Sequence, residues 1–428
     1  MRGAILIVLA IATLHGADEE RLALVRKAKA AYDLAILSPQ PGLAETSSCI
    51  QLQASLLPVA THEELPVIHY RRGYCLLISA AIARNAAGFR DAAAAFDQST
   101  STWPNRVKPV KGVAPQPGPS VLMVLSAISR LEAAAIDKPD DSASSGNLAL
   151  QEDMSVGLGR STCSPELMTV AACQDVFRSG REWLGWMALQ RGDVKAAASD
   201  LLDLQSSFWS HWVDGKLAMS EGSYSDAAVR YAGAVEQWRA NQARWRANWM
   251  TRLGPEPPMG VVLTDLGGAQ FLAGQPEQAI ATLDSAVAAD PHYAPAYYLR
   301  ARAKEQSGRL DAAMADYNLA ARTAYASAEG LVSPEAHLYR GILLYRRKDF
   351  QRAEDEFANA LNADSPSAMR ADAVAWRHMA AVAGGACGAS RQLLANSLHE
   401  VSPYFPKAEA TTLIAACPGA TDAQLRAR

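Results

Sequence analysis

Histidine, cysteine and acidic side chains could carry catalysis or hold a metal ion, but their spacing in this chain favours neither role. The 8 histidines are scattered, and no H-E-x-x-H pair places two imidazoles on one helix face. The chain also lacks the G-x-S-x-G turn of serine hydrolases and the G-x-x-x-x-G-K-[ST] loop that cradles phosphates. Gly157-Leu158-Gly159 lacks the third glycine of a dinucleotide-binding turn. We therefore expect no catalytic residue, no metal and no cofactor.

The 6 cysteines form three couples that are close in sequence. No two of them have the C-x-x-C spacing of zinc and redox motifs. An even cysteine count in an exported protein is typical of disulfides, and each couple would staple one helical hairpin. We predict neighbour pairing, with buried free thiols as the alternative. The couples are Cys49 with Cys75, Cys163 with Cys173, and Cys387 with Cys417.

Aromatic and basic residues concentrate in the middle of the chain, where most of the 9 tryptophans lie. Spacings of seven and four residues place three of these tryptophans on one helix face, beside an arginine stripe. Such a face could stack on sugars or peptides, with arginine adding cation–π attraction. The alternative is that the tryptophans pack the helix against its neighbours. This aromatic–basic face consists of Trp238, Arg239, Trp245, Arg246 and Trp249.

The first residues have the character of an export signal. Arg2 precedes an apolar run, Ala4–Leu14, which is too short to span a bilayer, and Gly16-Ala17 follows as a small-residue exit. We predict a signal peptide over residues 1–16 and an exported protein, periplasmic or secreted; a buried N-terminal helix is the alternative. No later run is apolar enough to predict a membrane span after signal removal. The net charge of −3 gives no reason to expect a nucleic-acid partner.

One helical-hairpin pattern occurs three times within residues 260–366. The copies are Leu263–Pro291, Tyr297–Tyr325 and His337–Ser365. Each copy has a small residue in its first helix, followed by a small, a large and another small residue in its second. These residues are Gly267, Ala279, Leu283 and Ala286; Ala301, Ala313, Tyr317 and Ala320; and Gly341, Ala353, Phe357 and Ala360.

Turn residues separate the helices of each copy. Gly274 and Gly308 suit a tight turn with positive φ, and Asp290-Pro291 ends a helix. These two glycines lie 34 residues apart, which is the period of tetratricopeptide repeats. The pattern resembles that family in spacing, residue size and punctuation. The fold class predicted is all-α, an α-solenoid of stacked antiparallel helical hairpins with an irregular proline-rich insert.

The resemblance divides the chain after the signal into four regions. An N-terminal helical region contains a degenerate hairpin, and a proline-rich linker leads into a helical insert that does not follow the repeat. Repeats resume beyond the insert, and capping helices close the C-terminal end. The predicted boundaries are 18–104, 105–177, 178–366 and 367–428.

Tetratricopeptide proteins usually bind extended peptides or partner helices in a concave groove that the first helix of each hairpin lines. The resemblance therefore implies a partner-binding groove in this chain, with aromatic residues and both charge signs. Tyr298 and Arg302 stand where related clamps for a terminal carboxylate use lysine and asparagine. The groove residues that the alignment implies are Thr264, Phe271, Tyr298, Arg302, Glu305, Leu338, Ile342, Tyr345 and Arg346, and Gly268 occupies an aligned position.

The leading hypothesis is an exported, non-enzymatic scaffold that binds a protein or peptide partner whose identity the sequence leaves open. A second hypothesis is a receptor for a glycan or small ligand that uses the aromatic–basic face. A third places a hydrolase-like site in residues 103–180, the region that does not follow the repeat. The repeat signature, the export signal and the lack of a catalytic motif favour the first.

Overall fold

The chain is folded entirely into helices and connecting turns wherever its structure is described. The computed structural model describes residues 2–37, 41–103, 119–137, 148–160, 162–163, 168–202, 204, 207–247, 254–326, 333–362 and 367–417. No strand occurs among these residues, and successive helices pack as antiparallel hairpins. The predicted all-α solenoid class is therefore confirmed.

The chain forms two compact units. Unit 1 comprises residues 1–217 and 236–257, and unit 2 comprises residues 218–235 and 258–428. The helices that lie wholly in unit 1 are α1 (Arg2–Leu37), α2 (Leu43–Leu56), α3 (Leu65–Ala83), α4 (Ala86–Thr102), α5 (Ser120–Asp137), α6 (Leu148–Arg160), α7 (Val170–Gln190) and α8 (Val194–Asp200). A 3-10 turn, Leu57–Val59, lies between α2 and α3. Two helices contribute to both units, namely α9 (Phe208–Ser220) and α10 (Tyr224–Ala247).

The rest of unit 2 continues the helix series as far as residue 416. Its helices are α11 (Met259–Leu272), α12 (Pro276–Ala289), α13 (Ala294–Gln306), α14 (Leu310–Ala326), α15 (Ser333–Arg346), α16 (Phe350–Asn362), α17 (Ser367–Ala383), α18 (Ala389–Ser397) and α19 (Lys407–Ala416). The three sequence repeats are the hairpins α11/α12, α13/α14 and α15/α16.

Each repeat turns at a residue with left-handed backbone geometry. Gly274 has φ 78° and Gly308 has φ 75°. Lys348 occupies the equivalent position of the third repeat with φ 62°, a conformation that costs a side-chain-bearing residue more than glycine. The turn geometry is therefore kept even where its preferred residue is replaced.

The two helices of a hairpin approach each other at the small residues that the sequence singled out. A Cβ atom built on Gly267 would lie 2.5 Å from Cγ of Leu283, and one on Gly341 would lie 2.6 Å from Cε1 of Phe357. Leu283 and Phe357 are fully buried. The large side chain of the second helix thus fills the space that the missing side chain leaves on the first.

Buried ion pairs join the helices of the second and third repeats at equivalent positions. Arg300 donates from Nε and Nη2 to the two carboxylate oxygens of Asp316, at 2.8 and 2.7 Å. Forty residues later, Arg340 donates from Nε to Glu356 at 2.7 Å, and His337 also contacts that carboxylate. Burial would raise the pKa of Glu356, but the hydrogen bond to His337 and the charge of Arg340 lower it.

Disulfides join the same three cysteine couples that the sequence suggested. Cys49–Cys75 joins α2 to α3, with the Cα atoms 6.2 Å apart. Cys163–Cys173 ties α7 to the segment before it, and Cys387–Cys417 ties the turn after α17 to the end of α19. Each disulfide therefore fixes a helix to a neighbouring element of the chain.

Replacing Gly267 by valine should destabilise unit 2, because the new side chain would occupy the volume of Leu283. We expect a loss of about 2–3 kcal/mol in the free energy of unfolding, measured by urea titration. Gly159→Ala is the matched control, since a Cβ atom there meets nothing within 4 Å. The control should be neutral or stabilising by up to about 1 kcal/mol. Equal stability of Gly267→Val and the wild type would contradict the packing described.

Removing the Cys49–Cys75 disulfide should loosen the start of unit 1. The bond closes a sequence separation of 26 residues, for which the chain-entropy relation gives about 3–4 kcal/mol. A Cys49→Ser, Cys75→Ser variant should therefore melt well below the wild type under oxidising conditions. Under reducing conditions the two proteins should melt closer together. Identical melting under oxidising conditions would show that the bond contributes nothing to stability.

Candidate functional site

The candidate site lies where the first helices of the three repeats, α11, α13 and α15, come together in unit 2. The helix α13 packs directly on α11 as well as on its own partner α14. Phe271 from α11, Tyr298 and Arg302 from α13, and Tyr339 from α15 meet there. Arg302 is the centre of this group, which we call the Arg302 cluster.

Aromatic rings hold the guanidinium group of Arg302. Its Cζ atom lies 3.8 Å from the ring centroid of Tyr339 and 5.4 Å from that of Phe271. Nη1 donates to the hydroxyl of Tyr298 at 3.2 Å, and the rings of Tyr298 and Tyr339 are 5.8 Å apart. Cation–π attraction is stronger when the cation is partly removed from water. The two aromatic rings and the hydrogen bond to Tyr298 together fix the orientation of the Arg302 side chain.

Arg302 is half-buried and forms no ion pair with a carboxylate among the described residues. A guanidinium group has five N–H donors in a rigid fork, and the phenol of Tyr298 accepts from one of its nitrogens. The side chain is therefore a positioned cation that suits a carboxylate or a backbone carbonyl group.

A neighbouring carboxylate is already engaged. Glu305, one turn after Arg302, accepts from the hydroxyl of Tyr317 at 2.9 Å and pairs with Arg346. Burial raises the pKa of Tyr317 far above its usual range, and the Glu305 charge adds to the effect. The negative charge of Glu305 is thus balanced locally, which leaves the positive charge of Arg302 as the distinctive charge of the cluster.

The structure separates the nine groove residues that the alignment implied into two groups. Thr264, Leu338, Ile342 and Tyr345 are buried. The hydroxyl of Thr264 bonds back to the carbonyl of Gly260 at 2.6 Å, and that of Tyr345 donates to Glu409 at 2.9 Å. These four side chains pack the solenoid. The half-buried or exposed group is Phe271, Tyr298, Arg302, Glu305 and Arg346.

Tyr339 belongs to the site although the alignment did not single it out. In the alignment Tyr339 corresponds to Leu299, which packs with Leu283 and Ala303 in the apolar core. The ring of Tyr339 lies against Arg302 because it comes from the next hairpin. The sequence signal for Tyr339 is an aromatic residue on α15, the first helix of the repeat that follows the one with Arg302.

The proposed aromatic–basic face of α10 falls largely on side chains outside the described residues. Trp238 is half-buried and Arg239 is exposed, whereas the side chains of Trp245, Arg246 and Trp249 are not among those described. The tryptophans that precede them form an apolar cluster in unit 1. Trp209 and Trp212 are almost fully buried, with ring centroids 5.7 Å apart. These two therefore serve packing.

The insert that was considered for a hydrolase-like site is partly described, over residue 103 and residues 119–137, 148–160, 162–163 and 168–180. Within all the described residues, no group of three or more His, Cys, Asp or Glu side chains could hold a metal ion. Glu132 of α5 is the titratable group that stands out in the insert, since burial raises its pKa to about 8. None of the described helices is long and apolar enough to cross a membrane.

Several solved structures are similar to this chain at low identity. The pilF protein of Pseudomonas aeruginosa is 17% identical over 57% of this chain and 99% of its own, with a TM-score of 0.41. Yeast Tom70 is 13% identical over 96% of this chain and 97% of its own, with a TM-score of 0.39. The tetratricopeptide-repeat sensor ATPase PH0952 of Pyrococcus horikoshii is 13% identical over 86% of this chain and 57% of its own, with a TM-score of 0.48.

Family models give a more specific result. No curated protein matches the sequence. Two models described as tetratricopeptide repeats match residues 270–329 and 319–368, which contain the Arg302 cluster. Residues 270–368 therefore match tetratricopeptide-repeat models, in agreement with the 34-residue step and the left-handed turns found there.

Proposed function

We propose that this protein is a non-enzymatic scaffold that binds an extended segment of a protein partner at the Arg302 cluster of unit 2. The observation that carries the proposal is the arginine itself. It is oriented by the rings of Phe271 and Tyr339, and it lacks an acidic partner among the described residues. Because its donors are positioned before a partner arrives, little ordering cost is incurred on binding.

The chemistry of the cluster suits a peptide better than a small apolar ligand. The aromatic rings offer apolar area for side chains, and the guanidinium fork can receive a carboxylate or two backbone carbonyl groups. Interfaces often depend on arginine and tyrosine residues of this kind. Only two of the five residues in the aromatic–basic face, Trp238 and Arg239, have side chains in the described part of the chain. No contact of these two favours the glycan receptor.

The proposed location is outside the cytoplasm, in the cell envelope or the extracellular space. The apolar run Ala4–Leu14 and the three cysteine couples support it, since disulfides persist in oxidising compartments. Export and peptide binding are separate parts of the proposal, and a test of one leaves the other standing.

The binding proposal predicts that Arg302→Gln weakens capture of the partner. The mature chain would be immobilised and exposed to its own envelope extract under oxidising conditions, and captured proteins would be quantified by mass spectrometry. A protein that depends on the guanidinium group should bind at least about tenfold more weakly to the variant, which corresponds to about 1.4 kcal/mol. Tyr298→Phe should have a smaller effect, because it removes one hydroxyl and keeps the ring.

The matched control is Arg309→Gln, which removes an exposed arginine that pairs with Glu277 away from the cluster. The control should capture the partner as the wild type does, and circular dichroism should show equal helix content in all proteins. A partner that binds the wild type and Arg302→Gln equally would contradict the proposed surface. Failure of the folded wild type to capture any protein would count against the scaffold itself.

A further inference from the structure

An extended segment of the chain lies against the hairpins of unit 1. Residues 254–257, with the sequence Gly-Pro-Glu-Pro, are non-helical and belong to unit 1. Pro255 and Pro257 are buried, whereas Glu256 between them is exposed. Alternation with a period of two is what an extended chain shows when one side rests on a surface. The prolines also restrict the backbone to extended geometry.

The segment contacts two first helices of unit 1 directly. A Cβ atom built on Gly254 would lie 2.6 Å from Oε2 of Glu182 on α7, so the backbone rests on that carboxyl group. At its other end, Glu256 lies 3.7 Å from Nη2 of Arg84, the residue that ends α3. The chain therefore runs from α7 to the end of α3.

The helix α5 contributes to the same surface through Glu132. The charge of Glu132 interacts with those of Arg84 and Glu256, and the Oε1 atom of Glu132 is buried without a hydrogen-bond partner among the described residues. Burial raises the pKa of Glu132 to about 8 and that of Glu182 to about 7. The surface beneath the segment is thus formed by α3, α5 and α7, each of which is the first helix of a hairpin.

We propose that this surface of unit 1 is a binding site for extended, proline-containing acidic peptides, and that residues 254–257 are its resident ligand. The chemistry on both sides matches. The buried prolines lose little conformational entropy on binding because their backbone is already extended, and the exposed Glu256 lies beside Arg84. The site lies in unit 1, so it does not depend on whether the Arg302 cluster binds a partner.

Tethering explains why a free peptide should bind the wild type poorly. A segment attached to its own site competes at an effective concentration in the millimolar range. A partner peptide would therefore need a matching advantage before it displaced residues 254–257. Weakening the resident segment should open the site without changing the residues that line it.

The test uses a full-length variant with Pro255→Ser, Glu256→Gly and Pro257→Ser. The probe is a fluorescent synthetic peptide with the sequence of residues 253–259, Leu-Gly-Pro-Glu-Pro-Pro-Met, followed by fluorescence anisotropy. The triple variant should bind it saturably with a Kd below about 1 mM, and the wild type should bind at least about tenfold more weakly. A matched probe with serine in place of the first two prolines should not bind the variant.

Two results would overturn the proposal. One is equal binding of the probe by the triple variant and the wild type, which would show that residues 254–257 do not occupy the site. The other is no saturable binding by the triple variant up to about 1 mM when its helix content is unchanged, because a site with a resident ligand must accept that ligand in trans.

The pH dependence of probe binding tests whether the probe covers Glu182 and Glu132. Glu182 faces Arg178 and the backbone of Gly254, and Glu132 faces Arg84 and Glu256. A carboxyl group whose pKa rises when the peptide covers it takes up a proton on binding, so binding should weaken several-fold between pH 5.5 and 8.5. Adding Glu182→Gln to the triple variant should reduce this dependence. Binding with no change over this range would place the peptide elsewhere and overturn the assignment.

Discussion

The close approach of two helices at a small residue is the constraint on which the repeats depend. At Gly267 and Gly341 the absent side chain lets Leu283 and Phe357 reach the backbone of the facing helix. Interiors packed at this density transmit small changes in side-chain volume to neighbouring elements. The first helices α11 and α13 also approach closely, since a Cβ atom built on Gly268 would lie 3.2 Å from Cδ1 of Leu299, and the ring centroid of Tyr339 on α15 lies 3.8 Å from Cζ of Arg302. The geometry of the Arg302 cluster, which three helices share, therefore depends on how tightly their hairpins pack.

The helix α13 shows how neighbouring cations can serve different purposes. Arg300 and Lys304 both reach the buried carboxylate of Asp316 in the second helix of their own hairpin. Arg302 lies between them in sequence, and side chains two positions apart on a helix do not face each other. It therefore points away from the Asp316 carboxylate and meets aromatic rings instead. One face of α13 is used for holding the hairpin together, and the other presents a cation.

Repeats, turns and cysteine couples could be predicted from the sequence because each depends on residues within one hairpin or on neighbouring hairpins. The positive φ at Gly274 and Gly308 needs only a glycine at the right spacing. The groove was harder to predict, because exposure depends on what the adjacent hairpin covers. Tyr345 aligns with Glu305, yet it is buried and bonds to Glu409, a residue far along the chain. Alignment identifies the helix face but not its neighbours, which is also why Tyr339 was missed.

The surface that the extended segment of unit 1 covers could not be predicted from the sequence, for a related physical reason. A Gly-Pro-Glu-Pro stretch is typical of a connection between helices, and nothing in its composition says which surface it covers. Its partners, Arg84, Glu132 and Glu182, come from three separate hairpins. The two surfaces also differ in charge. A covered carboxyl group is least costly when it is neutral, so the unit 1 surface favours apolar prolines, whereas Arg302 in unit 2 keeps its charge and favours an anionic or carbonyl oxygen. Under the two proposals, similar helical hairpins select different peptides through the few side chains that their packing leaves available.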